Sequence, residues 1–456
     1  MAIEFNEIMP VHNENQIENA IANAAATGQP TEIRLMQNIN LTHTINVTQG
    51  VTVRFASPGN NVYVLNAGKK GFRVMTVGTQ STATTTIYIG NVRLTGGYLP
   101  NTGSSTEDDG GAIRAGNYYA SSGISNIVIE NNAEIDGNEA RYGGGIFVNG
   151  TITILGGRIH NNKAREWGGG IYVYPGKTFM EGGTVSDNQA IQGGGLFTSD
   201  IIMTGGNFIS NTATDFGGGI EINGGGSDSL SQIGGSAIIA DNTAGRAGGG
   251  IMRAGNLGIV ELKAGAQITG NRANGNLNGL SGGGIYVFEF MLASLKVEEG
   301  VVFSNNSAPQ GYLTRKPEDN AIYYANIHGT IWTIPFTQGF NNFDIGYVGL
   351  DPFPEPVPGE PCEVNAQQMV EVCLPVQVRP FARVGQISTR CCGPAIIRPG
   401  ILCPGPIIEN CNFTVSQRIC VEVPVEFGAN VTPEQPHTNC TGERCESCPN
   451  QIAQKQ

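Results

Sequence analysis

Gly168-Gly169-Gly170-Ile171, followed shortly by Val185-Ser186-Asp187-Asn188-Gln189-Ala190, decides the fold, because both halves of this phrase keep returning along the chain. The glycine run closed by an apolar residue is found at Gly110-Gly111-Ala112-Ile113, Gly143-Gly144-Gly145-Ile146 and Gly193-Gly194-Gly195-Leu196. It returns at Gly217-Gly218-Gly219-Ile220, Gly248-Gly249-Gly250-Ile251 and Gly282-Gly283-Gly284-Ile285. The second half, apolar-x-x-Asn-x-Ala, places asparagines at Asn138, Asn162, Asn188, Asn211, Asn242, Asn271 and Asn306, each two residues ahead of an alanine. Successive asparagines lie roughly 23 to 35 residues apart, a solenoid period.

Short β-branched runs such as Gly150-Thr151-Ile152-Thr153-Ile154-Leu155 alternate apolar and polar residues, which indicates strands with one buried face. Three short strands with sharp corners fit a period of about 25 residues, and a dozen or so coils at ~4.8 Å make a rod of about 60 Å. Glycine suits the corners because it takes positive φ freely and lets neighbouring coils approach. An asparagine in the same place in every coil can stack its amide on the next. Leucine-rich repeats share this period, but their leucine scaffold is missing and nothing between the strands reads as a helix.

Working outward, Asn13 to Thr27 reads as a helix with Ile17, Ala20, Ile21 and Ala24 on one face, stopped by Gly28-Gln29-Pro30. It is expected to cap the open first coil, with Glu32–Leu35 and Val51–Phe55 as the first strands. The glycine marking is weaker from Asn40 to Tyr98, and Asn101 to Asp109 reads as a polar loop. Residues 327–332 and 343–347 look like final, irregular coils. Residues 351–361 form a proline-rich, semi-rigid spacer. Beyond it, 370–378 and 419–427 read as strands whose aliphatic residues share one face, leaving Cys373 and Cys420 on the other. The expected organisation is a cap (1–29), a β-helix (30–350), the spacer (351–361), a cysteine-rich β domain (362–431) and a flexible tail (432–456).

Composition narrows the function. The formal net charge of −12 argues against nucleic acid and anionic membranes as partners. No run approaches the ~18 apolar residues of a membrane span. The acidic start, Met1 to Glu7, carries no secretory leader, and none is expected unless the chain has been trimmed. The 66 glycines lack a three-residue period, which excludes collagen.

All ten cysteines lie beyond residue 360: Cys362, Cys373, Cys391, Cys392, Cys403, Cys411, Cys420, Cys440, Cys445 and Cys448. Stacking is therefore expected to hold the rod, and thiol chemistry the C-terminal part. These cysteines are candidates for disulfides or cross-links; Cys391 and Cys392 are adjacent and need partners elsewhere. His437, Cys440, Cys445 and Cys448 form a set that zinc could take, but disulfides are the preferred reading and no metal or cofactor is expected.

Enzymes of the pectate lyase and polygalacturonase kind use such a solenoid and need clustered carboxylates. Glu107-Asp108-Asp109 is the densest acidic cluster and is read as a solvated loop, while Asp187, Asp215 and Asp241 look scattered over the repeat. No catalytic residue is assigned. Tyr142, Trp167 and Phe216 each precede a glycine run and align down one flank, interrupted by Gln192, Ala247 and Ser281. They are candidates for stacking on sugar rings, against the commoner outcome of packing at a corner.

The phrases Gly110-Gly111-Ala112-Ile113, Phe208/Asn211 and Phe303/Asn306 resemble those of adhesin-type β-helices, including the polymorphic outer-membrane proteins, over roughly residues 30 to 310. The segment from Cys373-Leu374-Pro375-Val376 through Cys391-Cys392-Gly393 to Phe413–Val425 resembles cysteine-rich domains of endospore-surface proteins of clostridia and their relatives. Together these resemblances imply an all-β fold: a right-handed parallel β-helix solenoid with an N-terminal capping helix, followed by a small cysteine-rich β domain. They imply a structural, self-associating component of a spore coat, exosporium or appendage, made without a leader and partnered by itself and other spore-surface proteins. A secreted glycan-binding adhesin is the alternative, and a polysaccharide lyase or hydrolase the third reading.

Overall fold

The structure, a computed structural model, describes residues 3–48, 50–78, 83–101, 108–116, 125–224, 226, 229–255, 258–275, 282–288, 291, 294–308 and 344–346, with the backbone of four short strands between residues 388 and 422. The chain divides into two compact units, Met1–Gln367 and Gln368–Gln456. The spacer expected at 351–361, the coil expected at 327–332 and the strand expected at 370–378 lie outside the described residues.

The first unit is a parallel β-helix. Its described strands form three parallel sheets of 18, 10 and 6 strands. One coil shows the path: Ile171–Met180 crosses two stretches of the large sheet, Thr184–Ser186 joins the second sheet, Gln189–Gln192 the third, and Leu196 opens the next coil. The ten described strands of the second sheet, at ~4.8 Å, account for about 45 Å of rod.

The residue closing each glycine run builds the lumen. Ile113, Ile146, Ile171, Leu196, Ile220, Ile251, Ile285 and Ile345 pair coil by coil in one column, all buried. Ile345 belongs to the region expected to hold a final coil, and the column continues through it.

Glycine is required at these corners for three separate reasons, which one run illustrates. Gly168 has φ +67°, where a side chain is strained. A Cβ on Gly169 would run into the Gly194 carbonyl of the next coil. A Cβ on Gly170 would sit 2.8 Å from the Gly195 carbonyl oxygen and 3.0 Å from the Asn188 amide nitrogen.

A second backbone constraint falls immediately before each repeated asparagine. Gly137, Asn161, Asp187, Ser210, Asp241, Gly270 and Asn305 all have φ between 54° and 67°. Glycine, asparagine and aspartate tolerate this region best. Asp187 and Asp241 thus occupy one and the same repeat position, which corrects their reading as scattered; they serve a turn.

At the start of the rod, strand β1 (Glu7–Val11) pairs in parallel with strand β2 (Thr31–Leu35), and helix α1 (Glu14–Thr27) links them. Asn13 caps the helix by accepting from the Gln16 backbone N–H at 3.0 Å, and Gly28 ends it at φ 64°. Ile17, Ala20, Ile21 and Ala24 are buried in the same core as the lumen column, so α1 plugs the open coil. Glu14 fastens it: its carboxylate accepts from the backbone N–H groups of Thr42 and His43 and from the Thr42 hydroxyl. Burial works to raise its pKa, but these hydrogen bonds outweigh it and hold the carboxyl below its ordinary value. Strand β1 is absent from the sequence-based expectation, since a five-residue segment containing a proline gives a weak strand signal.

In the second unit Ser388–Cys391 pairs antiparallel with Ile419–Glu422, and Ile396–Arg398 with Thr414–Ser416.

Ser210 is the one member of the positive-φ series that is neither glycine, asparagine nor aspartate. Ser210→Gly is expected to stabilise the rod by about 0.5–1 kcal/mol, read as a higher midpoint in denaturant; an unchanged or lower midpoint refutes the strain.

Candidate functional site

The most regular polar feature is a buried amide column. From Asn138 to Asn271, each repeated asparagine donates through both its backbone N–H and its side-chain Nδ2 to the Oδ1 of the next, all at 2.9–3.1 Å. From Asn162 onward, each Nδ2 also donates to a backbone carbonyl in the preceding coil, as Asn188 does to Ile159 at 2.9 Å. An interior amide therefore uses two donors and two acceptor sites, its full capacity. The column is polar end to end. Gly97 donates to Asn138 Oδ1 at 2.9 Å, and Asn306 Nδ2 donates to the Asp344 carboxylate at 3.0 Å. The paired alanines that follow, Ala140, Ala164, Ala190, Ala213, Ala244 and Ala273, are all buried.

Two further rows of side chains flank the glycine runs. One row precedes the glycine runs: Tyr142, Trp167, Gln192 and Phe216 pair in sequence, and Phe216 bridges to Ala247. The other follows them: Arg114, Phe147, Tyr172, Phe197, Glu221, Met252 and Tyr286. Residues of this second row alternate with lumen residues, so they point away from the lumen, yet they are buried, most of them in side-chain clusters of their own.

Aromatic rings from both rows stack. Tyr142 lies 5.0 Å from Trp167 and 5.1 Å from Tyr172, and Tyr172 lies 5.3 Å from Phe147 and 5.0 Å from Phe197. Trp167 is held between Tyr142 of the preceding coil and Phe197 of the following one, the latter at 5.3 Å and 12° between planes. Arg141 covers Tyr142 at 4.6 Å, while Phe216, half-buried and apart from this stack, carries Arg246 at 5.6 Å. The ring faces of Tyr142 and Trp167 are thus occupied by neighbours, which is corner packing. Ser281 lies outside the described residues.

The acidic cluster is placed differently from its reading as a solvated loop. Asp108 and Asp109 are 3% and 0% exposed; Glu107 lies outside the described residues. Neither Asp109 carboxylate oxygen has a hydrogen-bond partner. Burial raises its pKa to about 6, against the pull of Arg114, Arg141 and Arg73. Asp108 faces Arg165 at 3.7 Å. Nearby, Glu166 accepts from Arg141 Nε at 2.7 Å and from the Tyr142 hydroxyl at 2.9 Å. Burial and the Glu166 hydrogen bond push the Tyr142 phenol upward. Carboxyls this deeply covered are poorly placed to meet a polysaccharide.

Glu221 is the residue that sequence reasoning missed. It occupies the row of Phe147, Tyr172 and Phe197, is 4% exposed, and its Oε2 has no partner. Burial, followed by the nearby Asp215 charge, raises its pKa to about 8. Asp215 itself is ionically paired with Arg246 at 2.9 Å. The available signal was a carboxylate standing where the preceding coils carry aromatic rings.

The ten candidate cross-linking cysteines are not brought together by anything described. Only the backbones of Cys391, in register with Ile419, and Cys420, in register with Arg390, are placed. The His437–Cys448 set lies outside the described residues. Among the described residues, no group of three or more His, Cys, Asp or Glu side chains could hold a metal ion, and no helix is long and apolar enough to cross a membrane. Compared with protein-family models, curated proteins and solved structures, the chain matches none.

Two expectations follow. Asn211→Ala removes the acceptor of Asn188 and the donor to Asn242 and Val185. It is expected to cost about 3–5 kcal/mol, whereas Asn207→Ala, on the outer face of the next sheet, changes stability by about 0.5 kcal/mol or less; equal effects in denaturant melts refute the column's weight. The second concerns pH. The folded chain keeps the Glu221 proton that the unfolded chain releases near pH 4.5, so its stabilising share is present below that pH and fades as pH rises toward 8. At about 1.4 kcal/mol per unit this is at most about 5 kcal/mol. Glu221→Gln is expected to abolish that loss and to be the more stable protein at pH 8. Parallel melting curves for both proteins from pH 5 to 8 contradict it.

Proposed function

We propose that this chain is a structural, self-associating protein of a bacterial spore surface, a component of a coat, exosporium or appendage. On this reading the β-helix is the displayed rod, and the cysteine-rich segment joins subunits or anchors them to other surface proteins. The observation that carries it is a division of labour. The rod is held by coil-to-coil contacts that include no cysteine, while all ten cysteines follow residue 360. A thiol-rich segment that folding of the rod does not use is available for exchange with other thiols and disulfides. The resemblances to adhesin-type β-helices and to endospore-surface cysteine-rich domains point the same way.

A glycan-binding adhesin is the second reading. The observation that favours it is the partial exposure of Trp167 and Tyr174 beside the stacked rings. The stacking of Trp167 between Tyr142 and Phe197 weighs against a sugar lying on its faces.

Electrophoresis with and without reductant, beside negative-stain microscopy, tests the proposal. Ladders that collapse on reduction, with ordered fibres or sheets in the oxidised sample, are expected. A monodisperse monomer whose disulfides are all internal overturns it. Binding on a glycan array that falls with Trp167→Ala then transfers support to the adhesin reading.

A further inference from the structure

Each strand of the rod turns one side to the lumen and the other outward, so an apolar residue on the outer side is covered only by its neighbours or by another molecule. On the large sheet Val128, Thr153, Phe179 and Ile202 stand in register in one outer row through four successive coils. All four are half-buried, and Leu155, at the edge of the row, is 40% exposed. None of them joins the buried clusters that hold the rod together. The strip has limits on both sides. Tyr88, in register with Val128, is packed edge-on by Phe5 at 5.3 Å, and the polar Gln232 follows Ile202.

Two charges frame this strip. Lys177 lies two residues before Phe179 and Glu181 two residues after it, so both share its outward side, ~13 Å apart along the chain. The Glu181 backbone N–H still donates to the Ile154 carbonyl, which carries the ladder to that residue. Charges elsewhere on this face are matched within the rod: Arg54 pairs with Glu32 and Glu130, and Lys263 with Glu261 and Glu298. Lys177 and Glu181 have no ion-pair partner among the described residues. Asp200, in register with Lys177 in the next coil, accepts instead from the Ser229 hydroxyl.

We propose that this strip docks a second copy of the chain, sheet face to sheet face, about a twofold axis parallel to the rod. That axis keeps the coils level and reverses strand direction across the contact. Val128, Phe179 and Ile202 then meet their own equivalents, Lys177 meets the partner's Glu181, and Glu181 the partner's Lys177. In the coils on either side Leu155 comes opposite the partner's Thr151 and Asp200 opposite the partner's Thr204, so no like charges meet. The charges select this arrangement over the alternative. Two copies turned end for end with their strips together at best set Lys177 against Asp200, and they give Glu181 no cation. The contact gives the proposed self-association a surface on the rod, and it uses no cysteine.

The test is sedimentation of the full-length chain in reductant, which silences cysteine bonding, with concentration raised to the millimolar range. Wild type is expected to form a reversible dimer. Lys177→Glu and Glu181→Lys each put two like-charged pairs into the contact, and each alone is expected to weaken the dimer about tenfold or more. Mixed with each other, the two variants are complementary again and are expected to form a heterodimer with the wild-type dissociation constant. That recovery also shows that both variants fold. Single variants that dimerise as wild type does overturn the proposal, and so does a mixture that fails to recover the dimer. A wild-type chain that stays monomeric in reductant overturns the docking strip and leaves the cysteine reading to its own test, the ladders formed without reductant.

Discussion

A buried amide without partners is costly, and a column of them is tolerable only when each supplies the next. That constraint governs the rod. Asn188 has no stable position unless Asn211 presents an acceptor and Asn162 a donor. The repeat is therefore held in register by hydrogen bonding more strictly than by hydrophobic burial, since burial tolerates slippage of apolar residues along a lumen, whereas a displaced amide leaves donors and acceptors unmet. The glycine corners belong to the same arrangement. Gly170 must lack a side chain because the Asn188 amide and the Gly195 carbonyl already occupy the space beside it. Asparagine, the glycine run and the small alanine are thus three parts of one steric and polar solution, which is why they recur together.

Such a column has a direction, and its ends need different chemistry. At one end an acceptor must be satisfied, and the Gly97 backbone N–H does so. At the other a donor is left over, and Asp344 accepts it. Another asparagine there would carry a further donor onward; a carboxylate accepts and stops. The lumen is closed at the N-terminal end by other means, through α1 and the hydrogen bonds Glu14 accepts from Thr42 and His43. Neighbouring coils depend on one another, so local damage in the column is felt on both sides, as expected for a quasi-one-dimensional protein.

The legible parts of the sequence were those with a repeated physical cause. The lumen column from Ile113 to Ile285, the asparagines and the capping helix all have periodic or local signatures. What escaped has causes that no single repeat displays. Strand β1 exists because β2 offers it a ladder, a long-range pairing that Glu7–Val11 does not announce. Asp108 and Asp109 look like loop residues because their neighbours are polar, yet both are buried, Asp109 near the charges of Arg114, Arg141 and Arg73 and Asp108 facing Arg165. Tyr142 and Trp167 were visible as a stripe, but a stripe cannot reveal that a second row, Phe147, Tyr172 and Phe197, fills the space between the rings. Asp187 and Asp241 required the backbone angles before their shared position could be seen.

These placements bear on how copies of such a rod can meet. A flank whose amides, rings and ion pairs are engaged with adjacent coils offers few groups for a strong contact that do not already serve the fold. An association that borrowed them would weaken the rod it joins. On the proposed reading, bonds between copies use groups that the described coils leave aside, and the cysteines, all beyond residue 361, supply them. Disulfide exchange is also reversible until the favoured partners are found, so an assembly formed this way can correct its contacts while each rod stays folded. On the proposed reading, the absence of cysteine from the first 361 residues matters as much as its abundance afterwards: a thiol within the coils would compete for the bonds that join subunits.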